Sequence, residues 1–255
     1  MYSNLTKKIL LSTLIVFITA CSSIQTNQAP LTVEDIASKE KLYESTRNYS
    51  GLVSIYREVL KGNDDPSIRY KLSDSYYKKG DSRSALLYVA PLLDHPQFIE
   101  KATILKVKAL IQLREYQQAI ESATALIARY PNNVEAYNSR GIAYAQVGKL
   151  NDAQYDFAKS RELFIDDVVA INNLAMLQII NGDYKNAVQL LLPQYLNGEK
   201  EQRLLHNLVF ALVKSGKTDY ALDIIKKEHL NTSADDLVNA LKKTQKVSKT
   251  ISVTK

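Results

Sequence analysis

Gly80, Arg114, Gly148, Gly182 and Gly216 stand 34 residues apart, and Ala85, Ala119, Ala153, Ala187 and Ala221 recur in the same frame. A period of this length, held over five units, constrains the chain more than its composition does. Each unit is one supersecondary element that cannot bury its apolar face alone, so the units must stack side by side into a solenoid. With 8 Gly, 6 Pro, no Trp and 16 Tyr in 255 residues, the units read as long helices joined by short turns. The fold class is all-α.

The unit from 134 to 167 shows what the repeat is. Tyr137, Gly141, Tyr144, Ala153 and Phe157 occupy aromatic, small, aromatic, Ala and Phe positions, after a Pro131-Asn132-Asn133 turn. This pattern resembles tetratricopeptide repeats. The resemblance implies a right-handed α-solenoid of about six helix-turn-helix units starting near residues 33, 66, 100, 134, 168 and 202 and spanning 33–235. It also implies that the first helix of each unit (helix A) lines the inner surface and the second (helix B) the outer. Gly141 and Ala153 fall where the two helices cross, where a larger side chain would overpack by about 1–3 kcal/mol. The first unit is atypical: Ile36, Tyr43, Leu52 and Tyr56 fit core positions, but Glu40 stands where a small residue is wanted. Residues 236–255 are expected to form a capping helix, within a helical pattern running from Ala234 to Gln245, and a basic tail. Pro91 and Pro193, late in their B helices, are expected to kink or end them.

The amino terminus reads as a targeting segment. Lys7 and Lys8 precede an apolar run from Ile9 to Ile18, and small residues lead to Cys21, the sole cysteine. Ile18-Thr19-Ala20-Cys21 resembles a lipobox, which implies a signal peptide over 1–20, a covalent lipid on Cys21 and a flexible tether over 21–32. Ser22 after the cysteine implies sorting to the outer membrane, with the remainder facing the periplasm. Several acyl chains give stable anchoring where one is marginal. The alternative is an ordinary secretory peptide followed by an incidental thiol.

Chemistry is hard to find. Setting aside Lys7 and Lys8 leaves 31 basic against 27 acidic residues, and the tail lysines 242, 243, 246, 249 and 255 account for the excess. This field does not suggest a nucleic-acid partner. His95, His206 and His229 are too dispersed for a spaced metal motif. Asp64-Asp65, Asp166-Asp167 and Asp235-Asp236 sit at helix junctions, where they serve as N-caps. No phosphate loop or nucleophile motif occurs, so no catalytic residue is named and no cofactor beyond the lipid is expected.

The inner surface is more informative. The inward positions of helix A are Asn138, Ile142 and Ala145 in the fourth unit, Asn172, Met176 and Ile179 in the fifth, and His206, Phe210 and Val213 in the sixth. Such an apolar strip on a concave surface suits an amphipathic helix of a protein partner, with Met176 adaptable and Phe210 an anchor. Alternatively, neighbouring helices or the chain's own C-terminal helix cover it. Asn173 and Asn207 fall at equivalent positions, where family members that bind extended peptides use asparagines on the ligand backbone.

Asn172-Asn173-Leu174-Ala175, Leu190-Leu191-Leu192-Pro193, His206-Asn207-Leu208-Val209 and Asp236-Leu237 are similar to the TadD lipoproteins of Tad (Flp) pilus systems. That resemblance implies an outer-membrane-anchored periplasmic scaffold for pilus assembly, binding or localising the secretin or another Tad component. A pilotin of another type IV pilus system and a periplasmic adaptor for cell-wall enzymes stay open.

Overall fold

The computed structural model describes residues 33–244. The expected signal peptide, Cys21, the tether and the tail beyond residue 244 lie outside them. The described residues hold thirteen α-helices: α1 Val33–Ser45, α2 Tyr49–Gly62, α3 Pro66–Lys79, α4 Ser82–Val89, α5 Ile99–Gln112, α6 Tyr116–Arg129, α7 Val134–Gln146, α8 Leu150–Glu162, α9 Asp167–Asn181, α10 Tyr184–Leu196, α11 Gln202–Lys214, α12 Thr218–Lys227 and α13 Ala234–Lys243. Among the described residues there is no strand. Odd-numbered helices are A helices and even-numbered ones B helices. From the second unit on, the B helices begin at Ser82, Tyr116, Leu150, Tyr184 and Thr218, in the 34-residue frame.

The turn between A and B explains the first set of recurring residues. Gly80, Gly148, Gly182 and Gly216 adopt φ between +80° and +91°, and Arg114 joins them at +64°. In each, the next residue's N–H reaches back five residues: Asp81 donates to Tyr76 O, Glu115 to Leu110 O, Lys149 to Tyr144 O, Asp183 to Gln178 O and Lys217 to Leu212 O, all at 2.8–2.9 Å. This left-handed cap satisfies the last carbonyls of helix A and turns the chain into helix B. The acidic junctions act as expected in part. Asp65 accepts from Ser67 and Ile68 N–H and Asp166 from Val169 N–H, whereas Asp64 instead accepts from Arg69.

Packing within a unit depends on the second set. Ala85, Ala119, Ala153, Ala187 and Ala221 are all fully buried. In the fourth unit a Cβ on Gly141 would stand 2.6 Å from Phe157 Cε1, so the helices cross where only glycine fits. The first unit reverses the arrangement. Its small residue is Gly51 on helix B, whose Cβ would meet the Tyr43 ring of helix A at 2.8 Å. Glu40 is then free for a polar role: it accepts from Tyr56 Oη at 2.8 Å and from Lys71 Nζ at 2.5 Å.

Units join chiefly where each B helix packs on the next A helix, and also through A-to-A contacts, α3 with α5, α5 with α7, α9 with α11 and α11 with α13. The largest core cluster spans the fifth and sixth units and takes in Ala234 and Val238. Helix α13 packs on α11 and α12, where the A helix of a further unit would lie, and Lys214 Nζ donates to Thr244 O at 2.6 Å. In the fourth unit, Asp156 is buried and receives both Nε and a terminal nitrogen of Arg140 at 2.8 Å. Burial of that carboxyl pushes it up, and the guanidinium opposes the rise.

The two prolines behave differently. Helix α4 stops at Val89 and continues only as a 3-10 turn over Ala90–Leu92, as expected at Pro91. Helix α10, however, runs through Pro193 to Leu196. Its last turn is held by Tyr195, which is buried, donates to Glu228 at 2.9 Å and lies beneath Lys200 Nζ at 3.7 Å. These tertiary contacts offset the missing backbone hydrogen bond.

Candidate protein-binding surface

The inner surface of the last three units is apolar, and the fold has claimed part of it. Ile142 on α7 packs against the cluster of Ala153, Phe157 and Leu177, and Ile179 on α9 packs against the C-terminal core. Asn138 and Ala145 are half-buried, and His206 is exposed. Met176 stays 38% exposed, and Phe210 is half-buried with its ring edge-on to Tyr184 at 6.0 Å. Two of the residues expected on an open strip are not open. Val213, 4% exposed, is in the core cluster that Val238 of α13 joins, so the last turn of α11 packs inside the fold. Asn172 is buried and occupied by its neighbour.

The asparagines tie helix to helix. Asn207 Nδ2 donates to Asn172 Oδ1 at 2.9 Å, and Asn173 Nδ2 donates to Asn138 Oδ1 at 2.6 Å. Each bond spans successive A helices and satisfies polar atoms that would be costly to leave unpaired at a half-buried junction. One donor or acceptor of each amide is thereby committed to repeat stacking.

A further cavity lies elsewhere. About 600 Å³ opens on the inner surface of the second to fourth units, between α3, α5 and the start of α7. Tyr70, Asp74 and Tyr77 face it from α3, and Lys101, Ile104 and Lys108 from α5. Tyr70, Asp74, Tyr77, Ile104 and Lys108 occupy the helix A positions equivalent to Asn138, Ile142 and Ala145, so the same rule applied to the second and third units points to them, whereas Lys101 stands one turn earlier, equivalent to Glu135. A polar and aromatic lining of this kind gives no apolar strip in the sequence.

The cavity's charges are mostly paired. Lys78 meets Asp74 at 2.6 Å, and Lys108 meets Glu135 at 2.5 Å. The bond to Asp74 holds the Lys78 ammonium above its ordinary range. Glu100 accepts from Asn133 Nδ2 at 2.6 Å. Burial, with Asp74 and Glu135 nearby, pushes the Tyr70 hydroxyl up to about 12, so it is a neutral donor at physiological pH. A smaller cavity of about 210 Å³ shares Asp74 and Lys78 and is lined on its other side by Tyr56 and Lys71. Among the described residues no group of three His, Cys, Asp or Glu could hold a metal ion, and no helix is long and apolar enough to cross a membrane.

Known proteins share this architecture. Residues 104–167 match the tetratricopeptide repeat family. The crystal structure of a tetratricopeptide repeat protein from Parabacteroides merdae superposes with a TM-score of 0.69 at 18% identity, covering 95% of this chain and 94% of that one. Tetratricopeptide repeat protein 21B of Xenopus laevis is 24% identical over 118 residues, 46% of this chain and 9% of its own length. Hsp70-Hsp90 organizing protein 3 of Arabidopsis thaliana is 19% identical over 198 residues, 76% of this chain and 34% of its own length. This chain therefore spans about a tenth and a third of the two relatives.

Proposed function

We propose that this tetratricopeptide-repeat chain is a protein-binding scaffold, held by a lipid on Cys21 at the periplasmic face of the outer membrane, which assembles Tad pili by binding or localising their secretin. Two independent features support the reading. The sole cysteine follows a short apolar run in a lipobox-like setting, and the stretch from Asn172 to Leu241 is similar to TadD lipoproteins. The observation that carries the binding role is the inner strip of the last three units, where Met176 stays 38% exposed between the equivalent Ile142 and Phe210 of neighbouring units. An amphipathic helix laid there would bury its apolar face against them.

Co-purification of the full chain with the secretin tests this. Phe210→Asp replaces apolar contact with a charge that has no partner, so affinity should fall by roughly tenfold to several hundredfold. Far-ultraviolet circular dichroism checks that the helices survive. Cys21→Ala should abolish acyl labelling and outer-membrane fractionation. A folded Phe210→Asp chain that still supports secretin assembly would refute the strip as the binding site.

A further inference from the structure

The inner surface of the second and third units carries one cation that no carboxylate of the described residues pairs. Lys78 and Lys108 are engaged by Asp74 and Glu135, but the Lys101 ammonium rests on rings alone, 3.9 Å from the centroid of Phe98 and 4.9 Å from that of Tyr70. The two rings lie 6.2 Å apart. Cation–π contacts keep the ammonium in place without neutralising it, so an incoming carboxylate meets a positioned charge and breaks no existing ion pair. Tyr77 lines the same cavity half-buried, and the core residues Ile104 and Leu105, 7% and 3% exposed, form its apolar floor beside that charge. The cavity is bordered by the smaller one at the Asp74–Lys78 ion pair.

We infer that this cavity docks an extended segment of a protein partner in which an acidic side chain stands next to an aliphatic one, the carboxylate on Lys101 and the aliphatic group against Tyr77, Ile104 and Leu105. The inference rests on the scaffold reading above but on the other half of the inner surface. It gives the chain a charge-reading subsite separate from the apolar strip.

A random dodecapeptide library displayed on phage with its carboxy end fused to the coat protein, panned against the full chain in detergent, tests it. The wild type should enrich Asp and Glu over Asn and Gln beside Leu, Ile or Val by about fivefold. Lys101→Met should lose that preference and Lys101→Arg keep it, with circular dichroism unchanged, since Lys101 is exposed. Phe210→Asp should also keep it, which separates failure of this subsite from failure of the apolar strip. The inference is overturned by a wild type with no acidic preference, or by a Lys101→Met chain that retains it. Selection of acids only in a library with free carboxy termini would overturn it too.

Discussion

Gly141 and Gly148 lie on one helical hairpin and are needed for unrelated reasons. Gly148 has φ of +80° with nothing within 4 Å of a Cβ, so its requirement is backbone conformation. Gly141 is inside α7, and its requirement is space against Phe157. Gly141→Ala should therefore destabilise by about 1–3 kcal/mol through overpacking, and thermal unfolding would register it. Shrinking the opposing ring with Phe157→Leu should recover part of the loss in the double variant, whereas additive losses would contradict a steric cause. Arg114 sits in the left-handed turn where four other units carry glycine, at a backbone cost of about 1–2 kcal/mol relative to the helical region. Replacing it with glycine relieves that cost but adds chain entropy to the unfolded state, so the two effects largely offset. The 34-residue register made all of these positions visible, but sorting conformation from space required the neighbours.

At the scale of elements, the first unit shows how a departure from the repeat pattern is absorbed. Glu40 interrupts the small-residue position of α1, and Gly51 of α2 restores close approach from the other helix. The displaced carboxylate links α1 to Tyr56 of α2 and Lys71 of α3. Burial pushes the Glu40 carboxyl up, but the hydrogen bonds from Lys71 and Tyr56 outweigh it and hold the group below the usual glutamate range. Because the folded carboxyl titrates below the unfolded one, its contribution is complete above the unfolded value of about 4.3 and fades as pH falls through the folded value. Glu40→Gln should lower stability by about 1–2 kcal/mol at pH 7, and the difference from wild type should shrink in urea titrations between about pH 5 and 3. A pH-independent difference would show that Glu40 acts by shape alone. Pro91 and Pro193 make the same point for helix ends, since identical unit positions gave a break in α4 and a continuous α10. Local rules set the tendency, and Tyr195 with its partners settled the outcome.

At the scale of the whole molecule, α13 occupies the place of a further A helix and closes the C-terminal end. Truncation after Thr232 removes Ala234 and Val238 from the largest core cluster and strips α11 and α12 of the helix packed on them. At about 1.5–3 kcal/mol for each large apolar side chain, the last unit should lose several kcal/mol. Hydrogen exchange should show α11 and α12 opening first while α5 to α8 stay protected, as expected when stability is shared between neighbouring units. Uniform loss of protection would mean that the solenoid unfolds as one body. What the sequence determined by itself is whatever a 34-residue period and nearest-neighbour turn chemistry can encode: the all-helical class, the helix pairs, their caps and the small residues at their crossings. The tertiary structure decided which inward side chains stay open. That depends on curvature and on helices distant in sequence, which close over Val213 and Asn172, leave Met176 exposed and open a polar cavity around Lys101.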